Sequence, residues 1–473
     1  MENFEFFIPT RVIFGKGTHL QVGKIVKEYG FHKVLVHFGG ASAKKTGLLD
    51  AVLDALKAEG IGYVTLGGVQ ANPTLSMVRQ GIELCLKETV DFVLAVGGGS
   101  VIDSAKCIAD GAGNPGVDVW SYFRHEAVPQ TALPVGTILT LSASGSEMSA
   151  SCVITNEENG FKRGFNSATH RPLFSICNPE LTYSVSRYQT GCGTVDIMMH
   201  TLERYMGGTT KETPLTDRIA EGLLKSVVEA GAVADQDPEN YEARATLMWA
   251  GSLSHNDLTS AGRAFMMQVH QMEHELSGMY PQIAHGAGLS ALWPSWARYV
   301  CAAWPERFAQ YAVRVWNLEM NFENPMETAL AGIRDLKENV HDMLAFGAGV
   351  RGIRLRDEWN GEDVRYRRIG MEEMRREAKC QPPEAEFWPD KLSNGLYMAV
   401  TECCESGGEA GDRLMWNPGE TAQRRYYLAA SGAGVQDGEI RLKVTVRNTG
   451  SRFSGREAVQ VYYSAPQGKL GRP

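Results

Sequence analysis

Residues 92–111 read FVLAVGGGSVIDSAKCIADG. The first five are apolar on both faces, as expected of a strand covered on both sides within a parallel sheet. The run breaks at Gly97-Gly98-Gly99-Ser100, and a helix-like segment follows, VIDSAKCIADG. A strand, a glycine turn and a helix in that order suit a dinucleotide pyrophosphate. The glycines let phosphate approach the backbone, and the N–H groups at the positive end of the helix hold it. A plain strand-to-helix turn uses glycines too, so the neighbouring segments carry weight.

Upstream, KVLVHF (33–38) precedes the helical pattern LLDAVLDALKAEG (48–60), then YVTLGG (63–68) and a helix over 75–88. Apolar strands alternating with helices indicate a doubly wound α/β domain, placed at residues 1–192. A second turn, Phe38-Gly39-Gly40-Ala41-Ser42, falls where a dinucleotide enzyme meets the adenosine ribose. An acid there would bind the 2′-hydroxyl; Ser42, Lys44 and Lys45 stand there instead, which favours NADP(H) over NAD(H). Thr137–Glu147 (TILTLSASGSE) is dense in hydroxyls and is expected to line the nicotinamide side, although such residues also make caps and turns.

From residue 193 to 333 the strand signal gives way to helical spacing, as in TVDIMMHTLERYM (194–206), RIAEGLLKSVVEAGAVA (218–234) and PERFAQYAVRVWNLEM (305–320). Asp196 and His200 are four apart and share a helix face; His270 and His274 repeat the spacing, and His285 follows in HGAG. One carboxylate with imidazoles and no thiolate suits Fe²⁺ or Zn²⁺, and Asp196, His200, His270 and His285 are the expected ligands. His274 is then a proton relay beside the metal, or a side chain bonded to the backbone. His255, in SLSHND, caps a helix end or lines the cleft.

Bulk properties narrow the partners. The chain has 473 residues, 43% apolar and 22% charged, with 51 glycines, and fits a globular enzyme of two or three domains. A net charge of -8 gives no attraction for nucleic acid or anionic membranes. No apolar run reaches the ~18 residues of a membrane span, and MENFEFFIPTRVIFGKG lacks the regions of a secretory signal. Nine scattered cysteines read as reduced thiols in a cytoplasmic protein.

Taken together, FIPTRVIFGKG, GGGSVIDSAK, LSASGSEMS, TGCGTVDIMMHTLERY, SLSHND and HQMEHELSGMYPQIAHGAGL closely resemble the iron-containing alcohol dehydrogenase family, in its butanol dehydrogenase branch, over about residues 3–333. The resemblance implies a dehydroquinate synthase-like fold: an α/β dinucleotide domain, an all-helical domain and one divalent metal between them. It implies metal ligands at Asp196, His200, His270 and His285, with His274 near the nicotinamide as the catalytic histidine. Cofactor contacts are implied at Gly97, Gly98, Ser100, Thr140 and Lys162, and Gly39, Gly40, Ser42, Gly99, Asp103, Thr137 and Ser151 are counted with them. The expected reaction is reversible hydride transfer between nicotinamide and a small primary alcohol or aldehyde, in a homodimer. The same architecture serves glycerol dehydrogenases, the competing enzymatic expectation.

Past residue 333 the resemblance stops, where further helices of the metal domain would be expected. Residues 334–424, with WNGEDVRYRRIGMEEMRREAKC (359–380), receive no architecture. Residues 425–473 read as a partial β-sandwich tail, for which GEIRLKVTVRNTGSRFSGREAVQVYYSAPQGKLGRP (438–473) resembles part of the fibronectin type III-like module of family 3 β-glucosidases. That switch suggests a chimeric or frameshifted reading frame, and a catalytically dead fusion with a carbohydrate-binding or interaction tail is the expectation of a different class.

Overall fold

A computed structural model of the chain describes residues 1–207, 212–281 and 283–345, and five short strands between Asp412 and Thr445. Contacts divide the chain into two units, Met1–Val350 and Arg351–Pro473.

The first half of the larger unit alternates strands and helices. Its strands are β1 (Arg11–Phe14), β2 (Lys33–Gly39), β3 (Gly62–Val69), β4 (Phe92–Gly97), β5 (Val135–Leu139), β6 (Ser151–Asn156), β7 (Phe161–Asn166) and β8 (Phe174–Cys177). Its helices are α1 (Val22–Glu28), α2 (Ser42–Lys45), α3 (Leu48–Ala58), α4 (Leu75–Glu88), α5 (Gly99–Gly113) and α6 (Trp120–Phe123). Six strands form one sheet in the order β1-β8-β5-β4-β2-β3, every neighbouring pair parallel, while β6 and β7 make a separate antiparallel hairpin. Every residue of β4, β5 and β8 is buried, which is why these strands read as unbroken apolar runs. Two apolar cores flank the sheet, one containing Val93 and Ile108, the other Phe92 and Val52.

The chain steps from β2 to β3 on one side and returns to β4 on the other, so the order reverses between β2 and β4. Open parallel sheets bind ligands beyond the carboxyl ends of the strands at such a reversal. Gly39 ends β2 and Gly97 ends β4, so both glycine turns of the sequence lie at that edge.

The second half is helical: α7 (Arg187–Tyr205), α8 (Pro214–Gln236), α9 (Tyr241–Ser254), α10 (Gln268–Met279), α11 (His285–Cys301), α12 (Pro305–Trp316) and α13 (Pro325–Ala345). Starts are written in the sequence: the Ser186 and Asn240 side chains accept N–H bonds from Gln189 and Ala243, and Pro214 and Pro305 open their helices. The helices share a core containing Leu202, Leu224, Trp293 and Tyr311. Truncating the fully buried Trp293 to alanine would cost about 3–5 kcal/mol.

The helical half starts at Arg187, so the expected division at 192/193 falls inside a continuous helix. The last helix of the unit runs to Ala345, past the expected limit at 333. In the smaller unit, Arg424–Leu428 pairs antiparallel with Asp412–Trp416 and with Val444–Thr445, and Val435–Gln436 with Glu439–Ile440. The expected strand at 458–463 and the rest of the expected fibronectin-like module lie outside the described residues. Among the described residues, no helix is long and apolar enough to cross a membrane.

Candidate metal and cofactor site

α7 carries Asp196, His200 and Glu203 at spacings that put them on one face, and α10 does the same with His270, Glu273 and His274. α11 opens at His285 and packs closely on α7. A Cβ on Gly286 would fall 2.0 Å from the Cys192 carbonyl oxygen, so only glycine allows that approach.

One carboxylate oxygen is the hub of the cluster. Asp196 Oδ1 stands 3.6 Å from His200 Nδ1, 3.5 Å from His270 Nε2 and 3.7 Å from His285 Nε2. Two donors each about 2.1 Å from a shared ion, at the tetrahedral angle, stand roughly 3.4 Å apart, so these spacings suit a common cation. The donor atoms of Asp196, His270 and His285 all lie within 4.8 Å of one another. His200 meets the same oxygen with its ring stacked on that of His270, centroids 4.5 Å apart.

Asp196, His200 and His270 are buried, yet Asp196 Oδ1, His200 Nδ1 and His270 Nε2 have no hydrogen-bond partner. Each such atom costs about 1–3 kcal/mol when left unmet in an interior. Three of them meeting at one carboxylate oxygen, with no thiolate present, fit a divalent cation such as Fe²⁺ or Zn²⁺.

A second ring of carboxylates orients the imidazoles. His270 Nδ1 donates to Glu203 Oε1, and Glu203 also accepts the N–H groups of Val269 at 2.6 Å and His270 at 3.2 Å. His285 Nδ1 donates to Glu273 Oε2, which Lys162 Nζ reaches at 3.4 Å, while Ser277 donates to Glu273 Oε1. With Nδ1 acting as donor, Nε2 is the nitrogen left to face Asp196 Oδ1, and in a metal-bound protein it would carry the lone pair.

Charge follows this geometry. Burial pushes His270 down, but the Glu203 and Asp196 carboxylates outweigh it and raise its pKa to about 9. Burial pushes Glu273 up, but His285 and Lys162 hold it below the usual carboxylate range. His200, His255 and His274 are driven well down by burial and by neighbouring cationic groups. Glu273, His274 and His285 form a second close group, with the His274 and His285 rings 5.5 Å apart. His255 follows the last residue of α9, donates Nδ1 to the Ser144 carbonyl at 2.9 Å, and lies 4.1 Å from the His200 ring.

At the sheet edge, α5 opens with Gly98 as its N-cap and no capping side chain, which leaves first-turn N–H groups available to an anion. A Cβ on Gly99 would fall 2.2 Å from Ser144 Oγ. The Thr140 N–H bonds to Gly97 O at 3.1 Å, which ties the hydroxyl-rich segment to the glycine turn. Gly40 precedes α2, whose first residue, Ser42, is exposed, as are Lys44 and Lys45.

Four other expected cofactor residues also have protein partners. Thr137 is fully buried and donates to Ser175 Oγ at 2.9 Å across the β5–β8 pair. Asp103 accepts from Ser146 Oγ at 2.5 Å and from the Val153 N–H at 3.0 Å, so both oxygens are engaged. Ser151 gives its carbonyl to Lys106 Nζ at 2.8 Å, and Lys162 is buried against Glu273. The reason is common to the four: they lie on α5 or the strands, where neighbouring elements already complement them.

The sequence reading passed over Glu203 and Glu273. Their positions, seven residues after Asp196 and three after His270, were the available signal, because both repeat the helix face of a ligand candidate. Lys106 was also passed over; it is fully buried and donates to Ser146 Oγ, Ser149 O and Ser151 O.

Residues 9–179 match the family described as iron-containing alcohol dehydrogenase, and residues 190–346 match the C-terminal part of the Fe-containing alcohol dehydrogenase family. An NADH-dependent butanol dehydrogenase A of Clostridium acetobutylicum is 41% identical over 339 residues, 72% of this chain and 86% of that protein. The NADPH-dependent aldehyde reductase YqhD of Escherichia coli is 36% identical over 350 residues, 72% of this chain and 87% of that protein. The crystal structure of NADH-dependent butanol dehydrogenase A from Thermotoga maritima superposes with a TM-score of 0.70 at 39% identity, covering 72% of this chain and 85% of that one. With two family matches that between them span both halves of the larger unit, the chain belongs to the iron-containing alcohol dehydrogenase family.

Proposed function

We propose that Asp196, His200, His270 and His285 hold one divalent metal beside a nicotinamide bound at the β2–β4 edge, and that the substrate is a small primary alcohol or its aldehyde. The chain is an NAD(P)-linked alcohol dehydrogenase and aldehyde reductase. The observation that carries the site is the single oxygen, Asp196 Oδ1, facing three imidazole nitrogens at 3.5–3.7 Å. When bound, the metal supplies Lewis acidity toward an alcohol or carbonyl oxygen, and the nicotinamide supplies or takes up hydride.

The protein's own part is positioning and proton handling. Glu203 and Glu273 fix the rings of His270 and His285, so that the donor set is formed before any ligand arrives. Lys162 offsets the Glu273 charge. His274, next to His285, is the group assigned to hold or pass on the proton of the alcohol. Gly97, Gly98, Gly99 and Ser100 take the pyrophosphate at the start of α5.

NADP(H) is the proposed cofactor. Its support is the absence of an acid from residues 38–45 and the exposed Ser42, Lys44 and Lys45, which suit a 2′-phosphate. A homodimer is the proposed assembly, supported by Phe4, Phe6 and Phe7, exposed just ahead of the edge strand β1. A cytoplasmic setting is in keeping with six free buried thiols among the described residues.

Metal analysis of the purified protein, coupled to NADPH and NADH oxidation across butanal, shorter and longer aldehydes and dihydroxyacetone, tests this reading. The expected outcome is about one divalent ion per chain, turnover that stops on chelation and returns with Fe²⁺ or Zn²⁺, and preference for NADPH. Turnover at full rate in metal-free protein would remove the metal from the reaction. A preference for dihydroxyacetone would move the substrate to the glycerol dehydrogenase class.

A further inference from the structure

Away from the Asp196 cluster, α5 carries Cys107 and β6 carries Cys152, and their sulfurs lie 2.8 Å apart. A disulfide bond is about 2.05 Å long, so less than 1 Å of movement would join them. Both thiols are essentially inaccessible, at 1% and 0% exposure. His170 lies against Cys152. Its Nδ1 faces the Ala150 carbonyl at 2.9 Å and its Nε2 faces Asp110 Oδ2 at 2.6 Å. Both partners only accept, so both ring nitrogens carry protons and the ring is an imidazolium. A fixed cation beside one thiol of a touching pair favours its thiolate, the form that reacts with oxidants.

We propose that Cys107 and Cys152 are an oxidative modification site, closing a reversible disulfide between α5 and the β6–β7 hairpin when the protein meets a hydroperoxide. Burial pushes both thiols up, but the Cys107 thiol and the His170 charge hold Cys152 down, while Cys107 stays high. Cys152 is therefore the attacking sulfur. Its sulfur takes one peroxide oxygen, the O–O bond breaks, and the leaving hydroxide combines with the proton lost from Cys152 as water. The Cys107 sulfur then displaces hydroxide from the Cys152 sulfenic acid; the S–S bond forms, the S–O bond breaks, and the Cys107 proton leaves in a second water. Two thiols and one hydrogen peroxide thus give one disulfide and two waters, the thiol pair losing two electrons to the peroxide.

Burial decides which oxidants count. Disulfide reagents the size of glutathione have no path to sulfurs covered this fully, whereas hydrogen peroxide is little larger than water. Entry follows local opening of the hairpin, a two-stranded element whose strand β7 is partly exposed. Once formed, the bond joins the helix that begins at the glycine turn to the hairpin that carries Lys162, and it restricts the unfolded chain by closing a long loop.

The test uses the full-length protein and hydrogen peroxide in small molar excess, followed by digestion without reductant and mass mapping. The expected result is at least a tenfold rise in peptides linked through Cys107 and Cys152, reversed by dithiothreitol, with a higher thermal midpoint than the reduced protein. Glutathione disulfide at the same concentration should produce neither. Cys152→Ala and Cys107→Ser should each keep basal turnover and lose the midpoint shift. Recovery of Cys152 as free thiol or as sulfinic acid, from folded wild type that has consumed the peroxide, would overturn the proposal without reference to any variant. So would a midpoint shift that survives in Cys152→Ala.

Discussion

Two groups of buried ionisable side chains lie within the same compact unit and are built on opposite terms. In the Asp110–His170 pair all four polar side-chain atoms are answered: Oδ1 accepts from Thr169 Oγ1 at 2.9 Å, Oδ2 from His170 Nε2 at 2.6 Å, and His170 Nδ1 donates to Ala150 O. Around Asp196 the acceptor and two imidazole nitrogens are left without partners. A saturated group contributes to stability because removing any member exposes the others. An unsaturated one costs stability until a ligand completes it. The contrast separates scaffold from site without any appeal to similarity.

The largest effect expected from this contrast is at His200. Replacing it with leucine removes a donor from the Asp196 cluster and should lower turnover by roughly a thousandfold or more, the equivalent of about 4 kcal/mol of transition-state stabilisation. The same change deletes an unpartnered buried nitrogen, so the metal-free His200→Leu protein should melt no lower than metal-free wild type. Activity assays and paired thermal melts check both halves. A metal-free variant that melts several degrees lower would show that His200 serves packing first.

Asp110→Asn should give the reverse pattern. Breaking a buried ion pair on one side leaves the other charge uncompensated and costs about 3–5 kcal/mol, here stranding the His170 imidazolium. Urea unfolding should show that loss, with the turnover of the remaining folded enzyme unchanged. Loss of turnover at full stability would place Asp110 in the reaction and break the comparison.

How much of this was legible before the structure depends on the reach of each signal. The buried strand Phe92–Gly97 and the shared faces of Asp196 with His200 and His270 with His274 were readable, because one element fixes them. Glu203 passed unnoticed because an acid on a helix resembles a solvated charge until a second helix brings His270 onto it. The boundary expected at 192/193 has a similar origin: TGCG within Arg187–Tyr205 looks like a break, whereas Gly193 there lets the helix approach the Ser142 carbonyl. Thr137 and Asp103 sit in matching motifs and are expected cofactor contacts; their bonds to Ser175, Ser146 and Val153 add a structural use that no local pattern shows. The Cys107–Cys152 contact joins a helix to a hairpin and has no local periodicity to announce it.

The smallest effect expected is a trend with pH, and it sharpens the account of the saturated cluster. Burial pushes His170 down, but the charges of Cys152 and Asp110 and their hydrogen bonds outweigh it, raising its pKa from an ordinary 6.5 to about 10. A group whose pKa rises on folding takes up its proton more tightly in the native state. Its contribution is therefore complete below about pH 6.5 and fades as pH climbs toward 10. The stability difference between wild type and His170→Gln, measured by urea unfolding under reducing conditions, should be constant at acid pH and shrink steadily from about 6.5 upward. A difference that instead grows with pH would mean that His170 is neutral in the native protein. The Asp110 group would then lack its fixed cation, and its ring would resemble that of His200, which is held neutral by burial and by the cationic groups around it.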